Sequence, residues 1–116
     1  PDLFNGMLAL SGLYHASYGF DGYMDGLVYE NSPQDFLQQM PSDHPWMQAY
    51  RRSKIVFCVG QGRWEDDLLW STREMDRILK EKGVDNAWFD YWGYDVDHDW
   101  PFWRRQVPYF VDKLVQ

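Results

Sequence analysis

The sequence predicts an α/β fold with a mostly parallel sheet and flanking helices, and three observations lead to that prediction. Residues 54–59 form a run that is apolar after Lys54 and is bounded by Gly60 and Gly62, which is typical of a strand buried on both faces of a parallel sheet. Strand-like and helix-like segments alternate along the chain, as they do where crossovers connect parallel strands. With 116 residues, of which 45% are hydrophobic, residues 1–116 can build the core of one small domain.

The first half of the chain carries one strand and a long excursion. Residues 7–11 are an apolar run that ends before a glycine, and they predict a buried strand. Residues 13–53 form the excursion, and their position predicts a lid-like segment. Inside it, Pro33 follows a serine N-cap and begins a helix that Pro41 stops. Residues 44–51 predict a second short helix.

In the second half of the chain, predicted helices and strands alternate more regularly. The capping-box pattern at residues 71–74 predicts the start of a helix, which Gly83 ends. Residues 86–92 are rich in aromatic side chains and predict a third strand. Residues 100–114 predict the last helix, which Pro108 should kink or shorten because proline lacks a backbone N–H.

Composition disfavours several kinds of partner. The net charge of −7 would repel the phosphates of nucleic acid and of an anionic membrane surface, so we expect neither. No apolar stretch approaches the roughly 20 residues of a membrane span. The single Cys58 excludes an internal disulfide, and its apolar neighbours predict a buried side chain. No signal peptide is visible, and we therefore predict a cytoplasmic protein.

The opening residues indicate a chain that begins in mid-domain. Residues 1–4 contain neither Met nor a capping signal, and the first apolar run follows almost at once. A sheet truncated there would expose an unpaired strand edge and apolar surface. We therefore expect a dimer, or association with a missing N-terminal half.

Two loops are the expected location of chemistry, because sites in parallel sheets lie beyond the carboxyl ends of the strands. Residues 60–68 follow the central strand and contain three consecutive acids at residues 65–67. Residues 93–100 follow the last strand and contain His98. A carboxylate behind a histidine is two-thirds of a nucleophile–base–acid triad. In such a triad the carboxylate orients the imidazole and the imidazole moves the proton.

Aromatic side chains are unusually frequent, at 19% of the chain, with seven Trp and eight Tyr. They predict a core of flat side chains, an aromatic-lined cleft, or both. Trp64 and Trp100 flank the candidate acid and base, and Trp103 follows them. We predict that these three tryptophans form substrate-binding walls.

The aspartates at positions 95, 97 and 99 raise the alternative of a metal site around His98. An EF-hand loop would need its glycine and its distal glutamate, and a zinc site would need a second His or Cys nearby. We predict no metal and no cofactor.

Residues 98–104 read His-Asp-Trp followed by an aromatic pair, and this motif resembles the histidine loop of the esterase D-like family of α/β-hydrolases. Residues 60–69, with Arg73 behind them, are similar to the acid loop of that family and the helix behind it. Residues 1–4 are similar to the segment after its nucleophile helix, and residues 7–12 resemble the strand that follows. The resemblance covers nearly the whole chain. It implies the C-terminal part of an α/β-hydrolase domain, lacking the N-terminal strands.

Carried over by position, His98 corresponds to the general base of that family. Asp66 fits the acid best, because an apolar pair and then an arginine follow the acid in the family. Glu65 and Asp67 remain candidates. The G-x-S-x-G nucleophile elbow of the family should lie upstream of residue 1 and is absent, as are its oxyanion-hole donors. Ser11 is a poor substitute, because a bulky leucine stands where the elbow needs a small residue.

The resemblance implies a serine-triad hydrolase that acts on a small-molecule carboxylic ester or related acyl bond. This chain would supply the acid and the histidine but not the nucleophile, so the chain alone should be inactive. The alternative is an aromatic-rich module that binds a carbohydrate or another small ligand without catalysis. Trp and Tyr faces stack on sugars, and Asn and Asp side chains can bond their hydroxyls.

Overall fold

A computed structural model, which describes residues 1–115, has a three-stranded parallel sheet flanked by helices. This confirms the predicted α/β class. None of the helices within those residues has the length and apolarity that crossing a bilayer requires. The elements are β1 (Gly6–Leu10), a 3₁₀ turn (Ala16–Phe20), α1 (Gly26–Glu30), α2 (Pro33–Gln39), α3 (Pro45–Arg51), β2 (Lys54–Val59), α4 (Asp66–Glu81), β3 (Ala87–Tyr91) and α5 (Trp100–Leu114).

The sheet order is β1-β2-β3, and both pairings are parallel. In the register, Phe57 of the central strand lies opposite Ala9 on one side and Phe89 on the other. Because all three strands run the same way, their carboxyl ends meet at one edge of the sheet. The loops that follow β2 and β3 are therefore neighbours.

Two apolar clusters cover the two faces of the sheet, because successive side chains of β2 alternate in direction. Ile55 and Phe57 lie in the cluster formed with α2, α3 and α4. Val56 and Cys58 lie in the cluster on the opposite face, with Phe110 of α5. Burial raises the pKa of the Cys58 thiol to about 12, so this cysteine is a protonated core residue.

One prediction about the helices was wrong. α4 begins at Asp66, so residues 71–74 lie inside the helix rather than at its start. The Ser71 hydroxyl donates to the buried Gln34 Oε1 and ties the excursion to α4. α5 continues through Pro108 without being shortened. Pro108 is exposed, so water can satisfy the carbonyl that its missing N–H leaves free.

Candidate active site

Two loops meet at the carboxyl edge of the sheet, and we call them the acid loop (residues 60–65) and the histidine loop (residues 92–99). The acid loop joins β2 to α4, and the histidine loop joins β3 to α5. Since β2 and β3 are paired neighbours, the two loops leave the sheet side by side. The prediction from the sequence that functional side chains lie in these two segments depends on this adjacency.

Backbone hydrogen bonds connect the two loops along their length. The Gly62 N–H donates to the Val96 carbonyl at 2.9 Å, and the His98 N–H donates to the Arg63 carbonyl at 2.9 Å. The Arg63 N–H donates to Asp97 Oδ1 at 2.6 Å. These bonds fix the position of the histidine relative to the acid loop independently of the Glu65 and His98 side chains.

Glycines permit this close approach of the loops. A Cβ atom on Gly60 would overlap the carbonyl oxygen of Val96. A Cβ atom on Gly62 would overlap Asp97 Oδ1 and would lie 2.7 Å from the Val96 carbonyl oxygen. Both glycines are therefore required because another backbone passes where a side chain would stand.

Gly60→Ala is accordingly expected to lower the free energy of unfolding by about 1–3 kcal/mol, the usual cost of forcing extra volume into a packed site. The measurement is urea unfolding of the full chain. Gly19→Ala is the matched control, because no atom lies within 4 Å of the Cβ it would add, and we expect a change within about 0.5 kcal/mol. Equal stability of the two variants would show that the loops separate without cost.

The central contact of the site joins Glu65 to His98. Nδ1 of His98 lies 2.8 Å from Oε1 of Glu65. Glu65 is fully buried, whereas the His98 side chain is 36% exposed. An ionised carboxylate only accepts hydrogen bonds, so this contact assigns the proton to Nδ1. The other ring nitrogen, Nε2, is then free to accept a proton.

Asp66, the acid that the sequence favoured, does not contact His98. It is the first residue of α4 and its side chain is exposed. Asp67 is exposed too, and it accepts a hydrogen bond of 2.8 Å from the hydroxyl of Tyr18. The carboxylate that contacts His98 lies one residue before Asp66. Asp66 was favoured because an apolar pair and then an arginine follow it, as they follow the acid in the esterase D-like family. Two acids in the first turn are typical of a helix N-terminus, and that signal could have identified Glu65 as the last loop residue.

Glu65 receives two further hydrogen bonds, both on its second oxygen. Gly60 N–H and the Ser11 hydroxyl each donate to Oε2 at 2.9 Å. With the bond from His98 on Oε1, the buried carboxylate has three donors, which offset the cost of removing its charge from water. This contact of Ser11 could not be predicted from the sequence, because no local pattern links a residue at the end of β1 to an acid 54 positions later.

The three tryptophans differ in position. Trp64 is 77% exposed, and its φ of 69° is rare for a bulky side chain. Trp100, at the start of α5, is 64% exposed. Trp103 is half-buried, and its ring packs edge-on against the imidazole of His98 with centroids 4.9 Å apart. Trp103 thus supports the histidine, while Trp64 and Trp100 present open aromatic surface.

The excursion contacts the start of α4. Tyr18 bonds to Asp67 as described, and the rings of His15 and Trp70 pack edge-to-face at 6.2 Å. The start of the excursion therefore lies against the N-terminal end of α4, which follows the acid loop. Among the described residues, no group of three or more His, Cys, Asp or Glu side chains is arranged to hold a metal ion. Asp97 and Asp99 instead accept backbone N–H groups.

A solved structure of a ferulic acid esterase is similar in fold to this chain. The TM-score is 0.66 and the sequence identity is 19%, over 93% of this chain. The chain spans 40% of the length of that esterase. No family model and no curated protein matches the sequence. At this identity the likeness establishes a small α/β fold similar to that of an esterase, and the narrower esterase D-like resemblance stays a prediction.

Proposed function

We propose that this chain carries the acid and the base of a serine hydrolase that cleaves a carboxylic ester or a related acyl bond. Glu65 is the acid and His98 is the base. The observation that carries the proposal is the 2.8 Å contact between a fully buried carboxylate and a part-exposed imidazole at the carboxyl edge of a parallel sheet. The fold likeness to an esterase supports the same reaction class.

The proposed chemistry follows from the proton that Glu65 holds on Nδ1. His98 Nε2 takes the proton of a serine hydroxyl as the oxygen forms its bond to the acyl carbon. The imidazolium then gives that proton to the leaving alkoxide as the ester bond breaks. Water repeats the cycle on the acyl-enzyme. Throughout, Glu65 stays ionised and stabilises the transient positive charge on His98.

The serine of this reaction belongs to a polypeptide segment outside this chain. Ser11 is unsuited, because its hydroxyl hydrogen is directed to Glu65 rather than to His98. Among residues 1–115, the hydrogen bonds of the His98 ring go to Glu65 alone. Within those residues β1 pairs only with β2, so its outer edge can accept a further strand. Leu3 and Phe4, which precede β1 in the chain, are 88% and 78% exposed, which suits association with another polypeptide segment or with a second copy.

The substrate in this proposal is a small ester that lies between aromatic surfaces. Trp64 precedes the acid directly, and Trp100 lies two residues beyond the base. Their exposed rings can cover a flat apolar group while His98 reaches the ester oxygen. Trp103 forms the wall behind the imidazole.

The test uses a fluorophosphonate, which labels activated serines, together with an activated acetate ester and a feruloyl ester. The 116-residue chain should neither be labelled nor turn over the esters. The complete polypeptide in which the chain occurs should hydrolyse an ester and carry one labelled serine outside residues 1–116. A label on Ser11, or saturable sugar binding without any ester hydrolysis, would overturn the proposal.

A further inference from the structure

Ser11 has a backbone conformation that needs an explanation. Its φ is 49°, in the left-handed region that residues other than glycine seldom adopt. Ser11 follows the last residue of β1, and its N–H still donates to the Cys58 carbonyl at 2.8 Å. The pairing of β1 with β2 therefore extends by one hydrogen bond to Ser11, although the backbone of Ser11 has left the extended conformation. In this conformation the side chain is buried and its hydroxyl reaches Glu65. Strained residues of this kind concentrate at functional sites.

The direction of each hydrogen bond around Ser11 can be assigned. The indole Nε1–H of Trp103 only donates, and it lies 3.3 Å from Ser11 Oγ. Ser11 Oγ is the acceptor of that bond, so its own hydrogen is available for Glu65 Oε2, at 2.9 Å. The bonds thus run in one direction, from Trp103 through Ser11 to Glu65.

The same residues close a ring around the acid and the base. Glu65 bonds to His98 through its other oxygen, and the His98 ring packs against the ring of Trp103. Four separate segments contribute to this ring: the end of β1, the acid loop, the histidine loop and α5. A carboxylate held at Oε2 cannot rotate freely, so its Oε1 atom stays aimed at Nδ1.

We propose that Ser11 and Trp103 are positioning residues for the Glu65–His98 pair. Ser11 holds the carboxylate in the rotation that selects the Nδ1–H tautomer of His98, and Trp103 orients the Ser11 hydroxyl. The proposal rests on the proposed function, since it states how this chain prepares His98 as a base. Neither residue needs to touch the substrate.

The test compares Ser11→Ala with Ser11→Gly in the full chain, by ¹⁵N NMR of the His98 ring. Both variants lose the hydroxyl, but only glycine removes the strain of a positive φ. We expect both to shift the ratio of the Nδ1–H to the Nε2–H tautomer toward Nε2–H by about three- to tenfold, the scale of one weakened bond to a charged group. Solvent exchange of the Nδ1 proton should accelerate by a similar factor.

The matched control is Ser71→Ala. Ser71 is another buried serine whose hydroxyl donates to a side chain, but its partner is Gln34. This variant should lower stability and leave the His98 ring signals unchanged. If Ser11 were merely structural, glycine would restore the wild-type tautomer ratio, or Ser71→Ala would shift the ratio equally, and either result would overturn the proposal.

Trp103→Phe tests the positioning role if the Ser11 variants do not fold. It keeps a six-membered aromatic ring and removes the pyrrole ring that carries the indole N–H. We expect a smaller shift of the ratio in the same direction, and an unchanged ratio would contradict the proposal. The NMR measurement needs no substrate. Failure of the proposed hydrolase activity with an intact tautomer response would therefore be distinguishable from failure of the positioning role.

Discussion

Replacing His98 with alanine is expected to lower kcat for ester hydrolysis by about 10⁴-fold or more in the complete polypeptide. Without the imidazole, no group at the site takes the proton of the serine as it attacks. Glu65 cannot substitute, because it is fully buried and Ser11 and Gly60 occupy its second oxygen. The measurement is steady-state hydrolysis of the activated acetate ester, with KM expected to change little.

The control for this prediction is His44→Ala. His44 precedes α3, and its Nδ1 accepts a hydrogen bond from the Trp46 N–H. It takes no part in the acid and histidine loops, so we expect kcat to stay within about twofold, as for a surface substitution. Activity that survives in His98→Ala, or falls equally in both variants, would remove His98 from the role of base.

Glu65→Gln is expected to lower kcat by about 10³- to 10⁴-fold, because it reverses the tautomer of His98. An amide has one oxygen and one NH₂ group. If the amide oxygen accepts from Ser11 and Gly60, the NH₂ group faces Nδ1. Nδ1 must then accept that hydrogen bond, so the ring proton moves to Nε2. If its oxygen faces His98, the NH₂ group meets the Gly60 N–H, and two donors oppose each other.

The same substitution should lower the free energy of unfolding by about 1–3 kcal/mol, the cost of an unsatisfied buried polar group. Urea unfolding of the full chain measures this term. Asp66→Asn is the matched control. Asp66 follows Glu65 directly and its side chain is exposed. We expect the free energy of unfolding to change by no more than about 0.5 kcal/mol and kcat to stay near normal. If Asp66→Asn abolished activity while Glu65→Gln did not, the choice of acid would be reversed.

The layout of the sheet could be predicted from the sequence, because the relevant signals are local. The apolar run of β2 and its bounding polar and glycine residues predicted Lys54–Val59, and the structure confirms those bounds. Pro33 was correctly placed at the start of a helix, since proline suits a first turn. The capping-box pattern at residues 71–74 does not mark a helix start, because its serine and threonine are buried within α4 and bond elsewhere.

The position of His98 was also predictable, because it depends on the order of strands and loops along the chain. A residue shortly after the last strand of a parallel sheet lies at the edge where the other loops meet. Its aspartate neighbour Asp99 and the proline that follows mark the start of a helix, and α5 begins there. These signals lie within a few residues of one another, so the sequence alone determined them.

The contacts of Glu65, rather than Asp66, with His98 and with Ser11 were decided by the tertiary structure alone. Three consecutive carboxylates have the same local chemistry, and only packing buries one while leaving the next two in water. The partners of Glu65 lie 33 positions downstream at His98 and 54 positions upstream at Ser11. A hydrogen bond between such distant positions leaves no periodicity or spacing in the sequence. It forms because parallel strands bring their carboxyl ends to one edge.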